Sequence, residues 1–127
     1  MDKIALVSTD LERGAEILRK LDEAALILSV ALWAYLPEYE DWRLVVSARR
    51  LDALQLREAY RAVNDSLDAG GLDVASIPPI VILPTTDPFV KALRAVFGKT
   101  RTVEGMRLGG QMIGNRFLED AYVYRIR

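Results

Sequence analysis

The chain predicts an α+β domain: a two-layer structure with three helices on a mainly antiparallel or mixed sheet of about five strands. Three observations carry this expectation. Apolar residues recur at helical spacing in three segments, runs of strand formers lie between them, and caps, glycines and prolines mark the junctions. The element order they give is α-β-β-α-β-α-β-β over residues 1–127, read as one domain.

Leu11, Ala15, Leu18 and Leu21 set the first helix over residues 10 to 22. Thr9-Asp10-Leu11-Glu12 has the form of a capping box, in which hydroxyl and carboxylate satisfy the orphan amides of a helix start. Ile27 to Tyr35 and Trp42 to Ser47 read as a β-hairpin around the polar turn Pro37-Glu38-Tyr39-Glu40-Asp41. Alternation puts Ser29, Ala31, Trp33 and Tyr35 on one face of its first strand and Leu28, Val30, Leu32 and Ala34 on the other. A strand apolar on both sides needs cover on both. Either the helices divide between the faces, or they gather on one and a second copy covers the aromatic side.

Asp52 is positioned to cap a second helix with the stripe Leu56, Tyr60, Val63 and Leu67, ended by Gly70-Gly71. Ile80 to Leu83, bounded by prolines, is a short buried strand, and the long connection before it suits a right-handed parallel crossover. Asp87-Pro88 starts a third helix with Phe89, Leu93, Val96 and Phe97 on its buried face and Gly98 at its end. Val103 to Ile126 supplies two more strands.

Composition limits the chemistry. The chain has no cysteine and no histidine, which removes disulfides, Ser-His-Asp and Cys-His nucleophile systems, and the usual zinc sites. Seventeen basic residues against eighteen acidic ones leave a net charge of −1, so no global field draws the protein to nucleic acid or anionic lipid. The longest apolar run, Ala24 to Leu36, is too short to span a bilayer. Asp2 beside Lys3, with no longer apolar stretch behind them, does not read as a secretory signal, and the expected location is the cytoplasm.

Gly109-Gly110-Gln111-Met112-Ile113-Gly114-Asn115-Arg116 comes close to a phosphate-binding loop, with Gly109 and Gly114 correctly separated. Asn115 and Arg116 replace the lysine and hydroxyl residue, however, and a strand pattern follows where a helix N-terminus is required. Gly114-Asn115 reads instead as a two-residue hairpin turn, with Gly109-Gly110 as a bulge or close backbone approach in the preceding strand. Glu38, Glu40 and Asp41 crowd three carboxylates into one turn but lack any calcium-loop spacing, and read as a solvated tip. Glu119 and Asp120 face opposite sides of a strand and cannot share a metal. None of Lys3, Lys20, Lys91 or Lys99 lies in an acid-x-Lys triplet on a strand, and neither Ser29 nor Ser47 has a lysine at helix-turn spacing. No catalytic residue, metal or cofactor is expected.

Two surfaces remain. Trp33, Tyr35 and Trp42 would give the first hairpin a large, rigid contact area, favouring a self-associating or partner-binding protein. From Lys99 onward six basic residues, Arg101 among them, oppose three acidic ones. Arg107, Arg116, Tyr122, Tyr124 and Arg125 are the candidate surface for a nucleic-acid-associated or Mg²⁺-dependent accessory role. A small-molecule pocket between helices and sheet is a third reading.

The segments ALWAYLPEYEDWRLVVS (31 to 47), REAYRAV (57 to 63) and LEDAYVYRIR (118 to 127) together resemble a family of small uncharacterised bacterial proteins. The resemblance implies a bacterial origin and a fold that stands alone, and it transfers no activity or site residue.

Overall fold

The computed structural model describes residues 5–100 and 102–127; Asp2, Lys3 and Arg101 of the readings above lie outside the described residues. It contains α1 (Ser8–Glu23), β1 (Val30–Leu36), β2 (Asp41–Ser47), α2 (Arg49–Asp52), α3 (Leu56–Ala69), a 3₁₀ turn (Val74–Ser76), β3 (Ile80–Ile82), α4 (Pro88–Phe97), β4 (Arg107–Ile113) and β5 (Arg116–Ile126). The α+β class and the five-stranded mixed sheet are those the sequence predicts, with the single turn α2 as a fourth helix.

Strand order is β3-β2-β1-β5-β4; β2 and β3 run parallel across the expected crossover, and every other pair is antiparallel. The strand that is apolar on both sides, β1, is central and fully buried. α1 and α3 lie side by side on the face carrying Ala31, Trp33 and Tyr35. α4 covers the opposite face, where Phe89, Val90 and Leu93 meet Val30, Leu32, Ala34, Ala121 and Val123. The helices therefore divide between the faces, and α4 adds a third layer to the two expected.

Element boundaries shift for local reasons. β1 starts at Val30 rather than Ile27, because Ala25 (φ 64°) and Ile27 (φ 39°) take left-handed conformations that no strand accommodates. α1 starts at Ser8, so Thr9 lies inside the helix and its capping box does not form; the Asp10 carboxylate accepts from the Val7 amide at 3.0 Å instead. Asp52 does not cap the helix after it. It ends α2, and its carboxylate takes the amide of Thr85 at 2.9 Å and also the Thr85 hydroxyl, fastening α2 to the segment before α4. Asp87 caps α4 as the sequence requires, accepting from the Phe89 amide at 2.9 Å.

The glycine segment is a hairpin. Gly114 (φ 60°) and Asn115 form its turn, and β5 follows where a phosphate loop would need a helix. The two strands change facing part-way: Leu108 and Ile113 differ in parity yet both pack toward α4, as do Leu118 and Ala121. Gly110 (φ 65°) sits at that change, and a Cβ on Gly109 would lie 2.6 Å from the Glu119 carbonyl. This close approach brings the hairpin tip onto α4, where a Cβ on Gly114 would meet the Pro88 carbonyl oxygen at 2.5 Å.

Candidate binding groove

The two surfaces read from the sequence are placed differently from each other. Trp33, Tyr35 and Trp42 are 3%, 9% and 6% exposed and belong to the core under α1 and α3, with Tyr35 and Trp42 edge to face at 5.7 Å. They present no outward aromatic sheet face. Their layout follows from the β1–β2 register: Trp42 opposes Tyr35 and Leu44 opposes Trp33, which makes the two indoles diagonal neighbours.

The C-terminal arginines are dispersed and neutralised. Arg107 grips both oxygens of Asp120 at 2.8 and 2.9 Å, Arg116 meets Glu38 at 2.6 Å beside the β1–β2 turn, and Arg125 meets Asp22 of α1 at 2.8 Å. Burial raises the Asp22 carboxyl, but the hydrogen bonds from Arg125 and the Leu28 amide, with the Arg125 charge, outweigh it and leave the group below the usual carboxylate range. Tyr122 and Tyr124 do share a face, yet they pack edge to face at 5.3 Å and Tyr124 is buried. Base stacking needs an open ring and phosphate binding an unspent guanidinium, and these residues offer neither together. Of the acidic turn, Glu38 is spent on Arg116, and among the described residues no group of three carboxylates could hold a metal ion.

Tyr124 fastens α1 to the sheet. The β1–β5 register shifts between Ala31 and Leu32, and the extra residue this leaves on β5 is Tyr124. Its hydroxyl accepts from Trp33 Nε1 at 3.0 Å and donates to the Leu11 carbonyl at 2.6 Å. Gly14 of α1 lies against both rings, with no room for a side chain. Burial pushes the Tyr124 hydroxyl up to about 12, with the Trp33 hydrogen bond opposing and Tyr122 and Asp10 reinforcing the shift.

The raised value fixes a pH dependence. The folded state holds this proton more tightly than the unfolded chain, so the contribution is complete below about pH 10 and is lost as pH rises through about 12. Urea unfolding from about pH 9 to about pH 11 should show stability falling along a slope that Tyr124→Phe removes. An unchanged slope in that variant would place the titration elsewhere.

Beside this anchor runs the groove. One cavity of about 270 Å³ is lined by Thr9, Asp10, Arg13, Trp33, Ser76 and Pro78, and a second of about 180 Å³ by Leu6, Asp10, Trp33, Asp41, Trp42 and Pro79. Asp10, Trp33 and Pro78 line both, so the two adjoin along a trough between the start of α1 and the segment leading into β3. Trp33 and Pro78 border both cavities, and Trp42 and Pro79 border the second. Arg13 Nη1 donates to Ser76 Oγ at 2.8 Å and spans the trough at one end. Asp10 and Asp41 accept from the backbone amides of Val7 and Trp42, and neither forms an ion pair within the described residues.

Sequence reasoning placed the indoles on a contact surface and read Asp10 only as part of a helix start. The missing step was tertiary: nothing local shows that the first turn of α1 and Pro78-Pro79 border the same stretch of sheet. The chain matches no protein-family model, no curated protein and no solved structure. Among the described residues no helix is long and apolar enough to cross a membrane. The lining offers carboxylates and apolar surface, and the Trp42 ring already carries the Arg107 guanidinium at 6.0 Å from its centroid.

Proposed function

We propose that the protein is a non-catalytic binding domain whose trough receives an extended, basic segment of a partner protein. The observation that carries this is a pair of adjoining cavities lined by Trp33 and Trp42 and by two carboxylates, Asp10 and Asp41, that form no ion pair among the described residues. A lysine or arginine laid along it would meet Asp10 and Asp41 with its charge and the indoles with its methylene stem. A cytoplasmic setting fits a chain without cysteine.

Both tryptophans of the chain border this trough, so intrinsic emission is a probe of its occupation. A lysine-bearing hexapeptide should shift that emission saturably at low salt, while its glutamate counterpart does not. Asp10→Asn with Asp41→Asn should weaken the effect roughly tenfold, the equivalent of losing one or two modest ion pairs. Equal responses to both peptides would sink the reading.

Self-association is the second reading, and its surface moves away from the tryptophans. Met112 of the open edge strand β4 opposes Phe117 of β5 across the hairpin, at 62% and 44% exposure. The opposite edge is guarded: β3 has only three residues, and the Tyr60 hydroxyl accepts from its Ile82 amide at 3.0 Å. A sedimentation mass that rises with concentration, with tryptophan emission indifferent to both peptides, would favour this edge over the trough.

A further inference from the structure

On the far side of α3 lies a crevice of about 180 Å³ whose walls are Leu51, Leu54, Leu56, Ala59, Ile82 and Pro84. Nothing in the tryptophan trough depends on it. An apolar cavity of this order holds a benzene-sized molecule. Leu54 and Leu56 are 37% and 63% exposed at its mouth, so it opens to solvent.

The chain segment that supplies most of its walls is basic. Residues 49–61 hold four arginines, Arg49, Arg50, Arg57 and Arg61, against Asp52 and Glu58, in a chain whose net charge is −1. All four are exposed, and none forms an ion pair among the described residues. The one carboxylate in the lining, Asp52, is held through both oxygens by Thr85. Leu56 is also the first residue of α3, and its Gln55 cap makes no side-chain bond, which leaves the first amides of that helix open to the same solvent.

We infer that this crevice is a binding site for a small aryl or branched-alkyl carboxylate, the apolar body seated among the leucines and the carboxylate turned out toward Arg50 and Arg57. A cationic ligand of the same shape would meet the arginines with like charge. A neutral one would forgo the ion pair and keep only the apolar contact.

The test uses phenylacetate, phenylacetamide and phenethylamine as probes of one shape and three charges, followed by amide shifts in two-dimensional NMR at low salt. Phenylacetate should move the amides of residues 51–59 and 82–85 saturably, with phenethylamine at least about tenfold weaker and phenylacetamide between them. Leu56→Asp places a carboxylate at the mouth on a side chain that is 63% exposed; the spectrum should stay folded while phenylacetate affinity falls more than about tenfold. Arg50→Glu with Arg57→Glu should reverse the order of the two charged probes. Affinity indifferent to probe charge, shifts centred elsewhere, or the lack of any saturable response would overturn the inference.

Discussion

Gly114→Ala should cost roughly 3 kcal/mol of unfolding free energy, although it adds one methyl group at a surface turn. Two effects combine there. At φ 60° a non-glycine residue is strained by about 1 kcal/mol, and the new Cβ would stand 2.5 Å from the Pro88 carbonyl oxygen and 2.9 Å from the Phe89 nitrogen. Those are backbone atoms at the first turn of α4, so relief requires lifting the hairpin off the helix. Gly71 (φ 86°) and Gly110 (φ 65°) have nothing within 4 Å of the place a methyl would occupy, and they isolate the conformational part. Gly71→Ala and Gly110→Ala should each lose only about 1 kcal/mol in urea unfolding. If Gly114→Ala behaves like those two, the hairpin tip does not rest on α4.

Gly14→Ala should also destabilise, by roughly 2 kcal/mol, against the direction that helix propensity sets. In an isolated helix alanine would be better than glycine by about 1 kcal/mol. Here the methyl would overlap the Tyr124 hydroxyl and lie 2.8 Å from Trp33 Nε1. Tyr124→Phe alone should cost about 1–3 kcal/mol, because Trp33 Nε1 loses its acceptor in a buried site. Combined with Gly14→Ala it should cost less than the sum, by about 1 kcal/mol or more, since the hydroxyl is the nearest atom to the new methyl. Additive losses would mean that α1 is not held down at this contact.

These two glycines mark how far the sequence could be read. Gly114 was legible because a Gly-Asn pair between alternating runs has a local meaning, and the hairpin, the α4 cap at Asp87 and the parallel crossover to β3 were legible for the same reason. Gly14 was not, since its role depends on Tyr124, a residue 110 positions away along the chain that a bulge turns toward it. Asp52 looked like a helix cap because Asp favours caps, but Thr85 offered it a tertiary pair. The trough had the same difficulty in larger measure. Trp33 and Trp42 stood out as unusual, yet Asp10, Asp41 and Pro78 acquire meaning only when α1 and the segment before β3 meet at those rings.

The arginines of β4 and β5 illustrate a further limit. Charge counted along the chain gave a basic C-terminal segment, whereas Arg107, Arg116 and Arg125 each find a carboxylate, two of them on Glu38 and Asp22 far back in sequence. Net charge of a segment predicts a surface field only when its partners lie in the same segment.

Collisional quenching of tryptophan emission tests the central claim most directly, because the quenchers differ in charge and both indoles line the trough. The rings are 3% and 6% exposed, so quenching should be weak, but caesium should exceed iodide, and Asp10→Asn with Asp41→Asn should remove that preference. Quenching that is stronger with iodide, or equal for the two ions, would contradict an acidic rim on the trough.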